Sequence, residues 1–406
     1  SRSASGGLEA GISASQGRGG AGARRPMPGL AEDDEPRRFF GPSKDAGAHA
    51  DAAVAQPRIG EPLGADSAEG LMGLIGPNQL PDAWKQGLFF AGYQPYGLQQ
   101  VEGGPCGVIA VVQAFLLRSL MGRAKGPSDI LEVDDKTRQE ALADALCEIL
   151  WKNAGDGKKA AILLPSSVGA VPLNASQVRC LQPHQFTSYD QLRHYVLQKP
   201  YKEALFAPSG CGIALLLHSL VWTRGVENIR ERDVDDPKTG VMIGGHGYCT
   251  QELVNLMVFG RAYSNVFDGT KRLGSAKDGW CVLQGVPKRP EVGFLSLFEA
   301  FKCVEVGSRY KCPSSPVWIV CAESHYTVLF AVDMEVDPKE CDKSIDVYYF
   351  DQLARQGERI RLSVSPKNLP SHLVTGFEEN ESMIDRCIRT KWKDSAVDWN
   401  GTDVIL

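Results

Sequence analysis

The order of helical and strand-like segments predicts an α+β domain with a central buried helix and an antiparallel sheet. Most helical patterns come first, and four segments rich in β-branched and aromatic residues follow near the end of the chain. Residues 106–122 are apolar on nearly every face, which indicates a helix enclosed by other elements. The short connections between the late strands favour antiparallel pairing.

Individual elements are predicted from the spacing of apolar residues and from capping signals. In residues 135–153, Leu142, Leu146 and Leu150 share one helical side, and Thr250 is placed to cap the helix of residues 250–261. Helices are predicted at 106–122, 135–153, 211–223, 250–261, 295–302 and 382–392. Strands are predicted at 317–323, 326–333, 345–351 and 359–364.

The first 65 residues differ in composition from the rest of the chain. They are rich in Gly, Ala, Ser, Pro and Arg, and they show no apolar periodicity. Because such a segment buries too little apolar surface to offset the entropy lost on ordering, residues 1–65 are predicted to be disordered. No later linker divides the chain, so residues 66–406 are predicted to form one domain.

The composition of the 406 residues narrows the class of protein. A net charge of −5 argues against a nucleic-acid binder, which usually carries a basic face. No apolar run approaches the roughly 18 residues that a membrane span requires. The 11 cysteines form no C-x-x-C pair, which disfavours a zinc site or a disulfide framework. We therefore expect an intracellular protein, cytoplasmic or nuclear or both, with free thiols and neither a metal nor an organic cofactor.

The sequence QQVEGGPCGV at residues 99–108 is the sharpest chemical feature of the chain. Cys106 begins the apolar helix, where unsatisfied N–H groups and the positive end of the helix dipole favour a thiolate. The same N–H groups can hold an oxyanion. A buried structural cysteine after a glycine-rich turn is the alternative. The run Gly-Gly-Pro-Cys-Gly before an all-apolar helix favours a nucleophile instead.

A cysteine nucleophile needs a histidine base that is near in space rather than in sequence. His325 begins a core strand in ESHYTVLF and follows the nucleophile helix in the chain, which is the papain-type order. The other histidines lie in loops, helices or the N-terminal segment, and His246 is the main alternative among them. Asp351, at the end of the next strand, is predicted to orient His325, with Asp333 and Glu323 as alternatives.

Gln100 lies six residues before Cys106. A side-chain amide at that distance can donate a hydrogen bond to the oxyanion that forms during acyl transfer. Papain-like proteases place a glutamine upstream of the nucleophile for this purpose. Gln99 is the competing candidate, since spacing alone does not choose between the two.

Four segments together resemble the catalytic domain of the MINDY deubiquitinases, most of all the subgroup with a long N-terminal extension. They are LQQVEGGPCGVIAVVQAFLL, QELVNLMVFGRAYSNVFDG, FLSLFEAFKCVEVGSRYKCPSSPVWIVCAESHYTVLF and YYFDQLARQ, and the resemblance covers about residues 90–406. It implies a papain-like cysteine protease fold and hydrolysis of isopeptide bonds in polyubiquitin, with a preference for lysine-48-linked chains. The family's nucleophile, base and oxyanion glutamine fall on Cys106, His325 and Gln100, whereas Asp351 is not carried over.

The resemblance also implies a role for the glycines beside the nucleophile. Ubiquitin ends in two glycines that must thread a narrow channel to the thiolate, and Gly103, Gly104 and Gly107 would keep the walls of that channel low. The expected partners are therefore ubiquitin and polyubiquitin chains. Two other functions stay open: a cysteine hydrolase with another substrate, and a non-catalytic scaffold that binds ubiquitin.

Overall fold

Helices precede a large sheet in the structure, which confirms the predicted α+β arrangement. The structure is a computed structural model, and it describes residues 56–157, 159–166, 172–198, 205–275, 279–333, 336, 343–366 and 382–403. These residues all belong to one compact unit that spans residues 36–406. In this part of the chain, no helix is both long enough and apolar enough to cross a membrane.

The described residues contain helices of very different length. A 3₁₀ turn at Asp82–Trp84 precedes the second helix, and a π-helical turn at Ile229–Asp233 follows the eighth. The α-helices are α1 (Gly64–Ile75), α2 (Cys106–Met121), α3 (Pro127–Leu131), α4 (Asp135–Asn153), α5 (Ala175–Val178), α6 (Tyr189–Leu197), α7 (Gly212–Arg224), α8 (Val226–Asn228), α9 (Gln251–Phe259), α10 (Leu297–Ala300), α11 (Ser308–Lys311) and α12 (Met383–Lys391).

The strands group into one large sheet and three small ones. The order of the large sheet is β13-β12-β11-β10-β9-β8, and the small sheets are β1-β5-β4, β2-β3 and β6-β7. The strands are β1 (Arg58–Ile59), β2 (Phe89–Phe90), β3 (Leu98–Gln99), β4 (Ala160–Pro165), β5 (Leu181–Phe186), β6 (Thr270–Ser275), β7 (Gly279–Gln284), β8 (Gly293–Ser296), β9 (Val317–Ala322), β10 (His325–Phe330), β11 (Ile345–Phe350), β12 (Ile360–Pro366) and β13 (Ser395–Asp398).

The two faces of the six-stranded sheet pack against different layers, because side chains alternate along each strand. Val328 and Phe350 on one face join a core that contains nearly all of α2 and the other central helices. Leu329 and Trp318 on the opposite face pack with residues of α12. Helix α2 therefore lies between the sheet and the helical layer, as its uniformly apolar sequence predicts.

Local sequence sets the ends of several helices. The Asp134 carboxylate accepts the N–H of Thr137 at 3.0 Å and caps α4. The Thr250 hydroxyl accepts the N–H of Leu253 at 3.4 Å and caps α9. Helix α9 then ends at Gly260, whose φ of +72° is a left-handed conformation that glycine adopts without strain.

Described structure begins earlier than the predicted domain boundary at residue 66. Strand β1 pairs with β5, and α1 begins at Gly64, so both lie partly or wholly inside the segment predicted to be disordered. The pattern of residues 56–65 is too short and polar to reveal a strand, because β1 depends on a partner more than a hundred residues away. The rest of that segment, residues 1–55, lies outside the described residues.

The prediction of a helix at residues 295–302 is only partly correct. Residues Gly293–Ser296 form β8, and the helix that follows, α10, is four residues long. Strand β8 pairs with β9 in a parallel register, with Gly293 opposite Trp318, so the sheet is mixed rather than purely antiparallel. Pairing with a buried central strand outweighs the helical spacing of this short apolar run.

Candidate active site

Cys106 is the first residue of α2 and is only 2% exposed. Pro105, with a φ of −85°, is the N-cap residue of the helix, and its carbonyl accepts the N–H of Ile109. The Cys106 sulfur lies 3.5 Å from the carbonyl oxygen of Ser324. Cys106 therefore meets the turn between β9 and β10, as expected if that turn carries its base.

A tight turn places His325 beside Cys106. Strands β9 and β10 pair with Ala322 opposite His325, so that only Glu323 and Ser324 connect them. Glu323 has a φ of +57°, a left-handed conformation that closes the turn. The His325 side chain hydrogen-bonds with Cys106, so the structure brings together the two residues that the sequence predicted as nucleophile and base.

Asp351 completes the arrangement. The register of β10 and β11 pairs Val328 with Phe350, which places Asp351 diagonally across from His325 on the same face of the sheet. The His325 Nε2 atom lies 2.9 Å from the Asp351 Oδ2 atom. Since Nε2 faces Asp351, the ring presents Nδ1 to the thiol. Asp351 thus lies where the sequence predicted the orienting acid.

The second oxygen of Asp351 is held by the backbone. Its Oδ1 atom accepts the N–H of Leu353 at 2.8 Å and that of Ala354 at 3.3 Å. The side-chain amide of Gln356 accepts the N–H of Asp351 and donates to the Tyr349 carbonyl. These bonds fix a carboxylate that is 4% exposed, and so they fix the ring that it orients.

The charges of the site favour an ion pair. Burial lowers the pKa of His325, but hydrogen bonds to Asp351 and Cys106, together with the negative charge of both, outweigh burial and raise the pKa from 6.5 to about 10. The ring is therefore protonated at neutral pH. A protonated His325 in turn favours the thiolate of Cys106, the form that acts as a nucleophile.

Gln100 lies in the loop that leads to Cys106 and is 1% exposed. Its backbone N–H donates to the Gln352 carbonyl, next to Asp351, at 2.8 Å. Its side-chain Nε2 donates to the Glu102 carbonyl at 2.8 Å, so the amide braces this loop. The neighbouring Gln99 is half-buried in β3. A role of Gln100 toward an oxyanion stays a prediction.

The three glycines near Cys106 have different surroundings. Gly103 is exposed and has open space at the position of a Cβ atom, which suits a residue beside a substrate. Gly104 has a φ of +128°, a conformation that favours glycine. Gly107 is buried, and a Cβ atom there would lie 2.8 Å from the Cys249 Cβ atom. Gly107 therefore allows the chain before α9 to pack closely on the start of α2, and a role of this glycine beside a substrate channel stays a prediction.

Gln86 was not singled out from the sequence, yet it supports the same loop. Its Oε1 atom accepts the N–H of Val101 at 2.9 Å, and its Nε2 atom lies 3.3 Å from the Glu102 carbonyl that Gln100 also contacts. The side chain is 3% exposed. No sequence signal marks this residue, because a glutamine in a loop 20 residues from Cys106 resembles any polar surface residue.

Two further cysteines adjoin the site, Cys249 before α9 and Cys321 at the end of β9. Both are buried, and the negative charge of Cys106 acts on the thiol of each. Burial, and after it this charge, raises the pKa of Cys249. Burial raises the pKa of Cys321 to about 12. The sequence offered no means of placing either thiol beside Cys106, since 143 and 215 residues separate them from it.

A groove of about 560 Å³ borders the site. Cys249, Cys321 and Ser324 line it at the end nearest Cys106. Phe298 and Val304 also line it and are each about two-fifths exposed. The groove is thus partly apolar, and three of its lining residues adjoin the nucleophile.

The alternative histidines lie elsewhere or lack the same contacts. His218 is fully buried in α7, where its Nε2 atom lies 2.8 Å from the Pro172 carbonyl. Burial, partly offset by this bond, lowers the pKa of His218 to about 4. His184 is buried in β5 against Tyr195, and His246 is exposed in its turn. Within the described part of the chain, no cluster of three or more potential metal ligands occurs.

A thiol, an imidazole and a carboxylate joined in this order at a helix N-terminus define the arrangement of a cysteine hydrolase. Comparison with known proteins gives the family. The family described as "Deubiquitinating enzyme MINDY-3/4, conserved domain" matches residues 76–401. The chain therefore belongs to the MINDY-3/4 family.

Individual relatives match over most of this chain. The "Probable ubiquitin carboxyl-terminal hydrolase MINDY-4" of Xenopus tropicalis is 39% identical over 338 residues, which are 80% of this chain and 44% of the relative. The human protein of the same name is 37% identical over 77% of this chain and 41% of its own length. "Ubiquitin carboxyl-terminal hydrolase MINDY-3" of Bos taurus is 34% identical over 62% of this chain and 60% of the relative. This chain thus matches less than half the length of the MINDY-4 relatives. No solved structure matches it significantly.

Proposed function

We propose that this chain is a cysteine-type deubiquitinase that hydrolyses isopeptide bonds in polyubiquitin. The observation that carries the proposal is the contact of Cys106 with His325 and of His325 with Asp351, at the N-terminus of α2. Membership of a family described as deubiquitinating enzymes supports ubiquitin as the substrate, since the chemistry alone identifies only an acyl group.

The proposed reaction is acyl transfer through a thioester. The Cys106 thiolate attacks the carbonyl carbon of ubiquitin's C-terminal glycine, and N–H groups at the start of α2 bind the oxyanion. The Gln100 amide is a further donor once it turns from Glu102. His325, held by Asp351, gives its Nδ1 proton to the departing lysine amine. Water then attacks the thioester with His325 as the base and releases ubiquitin.

The glycines and the groove suit a substrate that ends in a slender tail. Gly103 is exposed, and no atom outside its immediate chain neighbours lies within 4 Å of the position of its Cβ atom. Gly104 has no side chain that could obstruct a substrate on its way to Cys106. We propose that the two C-terminal glycines of ubiquitin pass these residues, and that the partly apolar groove beside Ser324 accommodates neighbouring substrate surface.

A ubiquitin probe with a C-terminal electrophile tests the substrate. We expect it to label wild-type protein at Cys106 and to leave Cys106→Ala and His325→Ala unlabelled or slowly labelled. A small thiol reagent serves as the control for the reactivity of Cys106. Labelling by the small reagent without labelling by the ubiquitin probe would indicate a cysteine hydrolase with another substrate.

A panel of ubiquitin chains of each linkage tests the reaction and its specificity. We propose that lysine-48-linked chains are cleaved fastest, and that Cys106→Ala abolishes cleavage. Binding of chains without cleavage by the wild-type protein would favour a non-catalytic scaffold, and cleavage that survives Cys106→Ala would refute the mechanism. The papain-like assignment of the fold and the intracellular location, cytoplasmic or nuclear, are further parts of this proposal.

A further inference from the structure

Three buried thiols meet around the nucleophile, although each comes from a different part of the chain. Cys106 begins α2, Cys249 precedes α9, and Cys321 lies near the end of β9. Neither Cys249 nor Cys321 takes part in the acyl-transfer mechanism. A second thiol close to a thiolate nucleophile is nevertheless chemically significant, because it can react with that sulfur once it is oxidised.

Cys249 is the better placed of the two neighbours. Its sulfur and that of Cys106 each lie 3.9 Å from the same carbonyl oxygen, that of Gly104, so the two sulfurs are no farther apart than twice this distance. The missing side chain of Gly107, the residue after Cys106, lets Cys249 approach the first turn of α2. A Cβ atom at that glycine would lie 3.0 Å from the Cys249 sulfur. Cys249 also lines the groove that borders the site.

Cys321 has different contacts from those of Cys249. It lies opposite Tyr326 in the paired strands β9 and β10, and its sulfur contacts the Glu323 carbonyl at 3.5 Å. The Tyr326 hydroxyl forms a further hydrogen bond with it. Cys321 is therefore anchored within the sheet, and it provides a matched control: a buried thiol near Cys106 that lacks the contact with the Gly104 carbonyl.

We propose that Cys249 is a resolving thiol, which forms a reversible disulfide with Cys106 when a hydroperoxide oxidises the nucleophile. The proposal rests on Cys106 being the reactive thiol of the proposed function. The disulfide would switch hydrolysis off under oxidising conditions and would protect Cys106 from irreversible oxidation to a sulfinic acid.

The first step oxidises Cys106 by two electrons. Its thiolate attacks one oxygen of hydrogen peroxide, a sulfur–oxygen bond forms, and the oxygen–oxygen bond breaks. The leaving hydroxide takes a proton from protonated His325 and departs as water. The products are a neutral sulfenic acid at Cys106 and neutral His325.

The second step forms the disulfide. The Cys249 sulfur attacks the sulfenic sulfur, a sulfur–sulfur bond forms, and the sulfur–oxygen bond breaks. The thiol proton of Cys249 leaves with the hydroxyl group as a second water. Because the raised pKa of Cys249 keeps it protonated beforehand, it does not compete with Cys106 for the peroxide. Loss of the negative charge on Cys106 during the first step then removes one of the causes of that raised pKa.

Peptide mapping of the wild-type chain tests the proposal without any variant. The chain is treated with graded hydrogen peroxide, alkylated without reduction and digested. We expect a Cys106–Cys249 cross-linked peptide that has lost two hydrogen atoms and disappears after dithiothreitol. A cross-link from Cys106 to Cys321, or sulfinic acid at Cys106 with no cross-link, would overturn the proposal.

Variants connect the cross-link to activity. The rate of cleavage of a ubiquitin substrate is compared with the rate of the same protein before treatment. In the wild type and in Cys321→Ser, peroxide should abolish cleavage and dithiothreitol should largely restore it. Cys249→Ser and Cys249→Ala should lose most of the recoverable activity and accumulate sulfinic acid at Cys106. Recovery by both Cys249 variants as complete as that of the wild type would refute the role of Cys249. Thermal unfolding of each variant establishes that it is folded.

The two proposals fail in different ways. If the chain forms the Cys106–Cys249 disulfide but cleaves no ubiquitin substrate, the proposed function fails and the resolving role stands. If it cleaves ubiquitin chains but forms no such disulfide, the resolving role fails and the function stands.

Discussion

At the scale of single residues, His325 determines the electrostatics of the candidate site. Its Nε2 atom contacts Asp351, and its ring also interacts with the side chain of Cys106. Burial alone would lower its pKa, but its hydrogen bonds to two negatively charged partners raise it to about 10. His325 is therefore protonated at neutral pH, the form in which it would act as the acid for the leaving amine in the proposed reaction.

Asp351→Asn tests the orienting role of the carboxylate. The asparagine keeps an oxygen acceptor but removes the negative charge, so the pKa of His325 should fall toward 6.5. We expect kcat/KM to fall, though less than in His325→Ala, and the basic limb of the pH–rate profile to move to lower pH. Profiles measured on a fluorogenic ubiquitin substrate check both effects. If the rate and the pH profile are unchanged, Asp351 has only a structural role in the turn at the end of β11.

The same pKa predicts how stability depends on pH. The folded state raises the pKa of His325 above 6.5, so it binds the proton more tightly than the unfolded state does. The resulting stabilisation is complete below pH 6.5 and is lost as the pH rises to about 10. The difference in urea midpoint between wild type and His325→Gln should therefore shrink across this range. A difference that grows with pH would contradict the ion pair.

Gln100→Ala tests the second oxyanion donor. If the amide turns from Glu102 to the oxyanion during the reaction, its removal should lower kcat by about 10²–10³-fold. Gln99→Ala is the matched control, since Gln99 is half-buried in the preceding strand and should change kcat by less than about tenfold. Single-turnover rates with a ubiquitin substrate give the comparison. A small effect of Gln100→Ala would leave it only the loop-bracing role seen in its bond to Glu102.

The sequence identified the central residues of the site because each stands at the boundary of a regular element. Cys106 begins an all-apolar helix, His325 begins a core strand, and Asp351 follows the next strand. Gln86 and Cys249 carry no such mark. Their importance arises from contacts between loops that only the folded chain brings together, so local spacing could not reveal them.

At the scale of elements, the N-termini of α2 and α9 pack against each other through Gly107. The Cβ atom of an alanine there would lie 2.8 Å from the Cys249 Cβ atom, closer than real Cβ contacts allow. The atom it would meet belongs to the start of a side chain and cannot rotate away. The close approach of these helix ends therefore depends on the absence of a side chain at Gly107.

Gly107→Ala is expected to destabilise the fold by about 1–3 kcal/mol, because the overlap forces one helix end to shift. Urea unfolding with an unchanged m-value measures this change. Cys249→Gly in the same chain removes the clashing Cβ atom, so the double variant should unfold at a higher urea concentration than the sum of the single effects predicts. Strict additivity would show that the two positions do not interact.

The elements differ in how far the sequence could predict them. Helices α2 and α4 and strands β9 to β12 were predicted to within a few residues, since their patterns are long or strongly β-branched. The sequence predicts a helix that overlaps the end of β8, and it predicts neither β4 nor β5. Each of these strands is held by pairing with a remote partner, such as Ala160 with Phe186, and that pairing leaves no local pattern.

At the scale of the whole molecule, the candidate site lies where two packing layers meet. Cys106 belongs to the core of central helices, whereas His325 and Asp351 are carried by the sheet whose far face packs with α12. The contact of α2 with β9 and β10 therefore sets the distance between nucleophile and base.

The N-terminal boundary of the fold gives a test at this scale. Residues 56–65 are tied to the small sheet by Gly60 N–H to the Pro183 carbonyl at 2.9 Å and by Leu63 N–H to the Leu181 carbonyl at 3.0 Å. The side chain of Gln191 also donates to the Gln56 carbonyl at 2.9 Å. These bonds are lost in a chain that starts at residue 66, the boundary predicted from composition.

A chain starting at residue 66 is therefore expected to be less stable than one starting at residue 56, by on the order of 1–3 kcal/mol, given the usual net contribution of a few hydrogen bonds. Urea midpoints of the two chains measure the difference directly. The bonds of residues 56–65 named above go to β5 and α6 and not to Cys106, His325 or Asp351, so both chains should label equally with the ubiquitin probe at low temperature. Equal midpoints would show that β1 adds nothing to the domain and that the compositional boundary at residue 66 is the correct one.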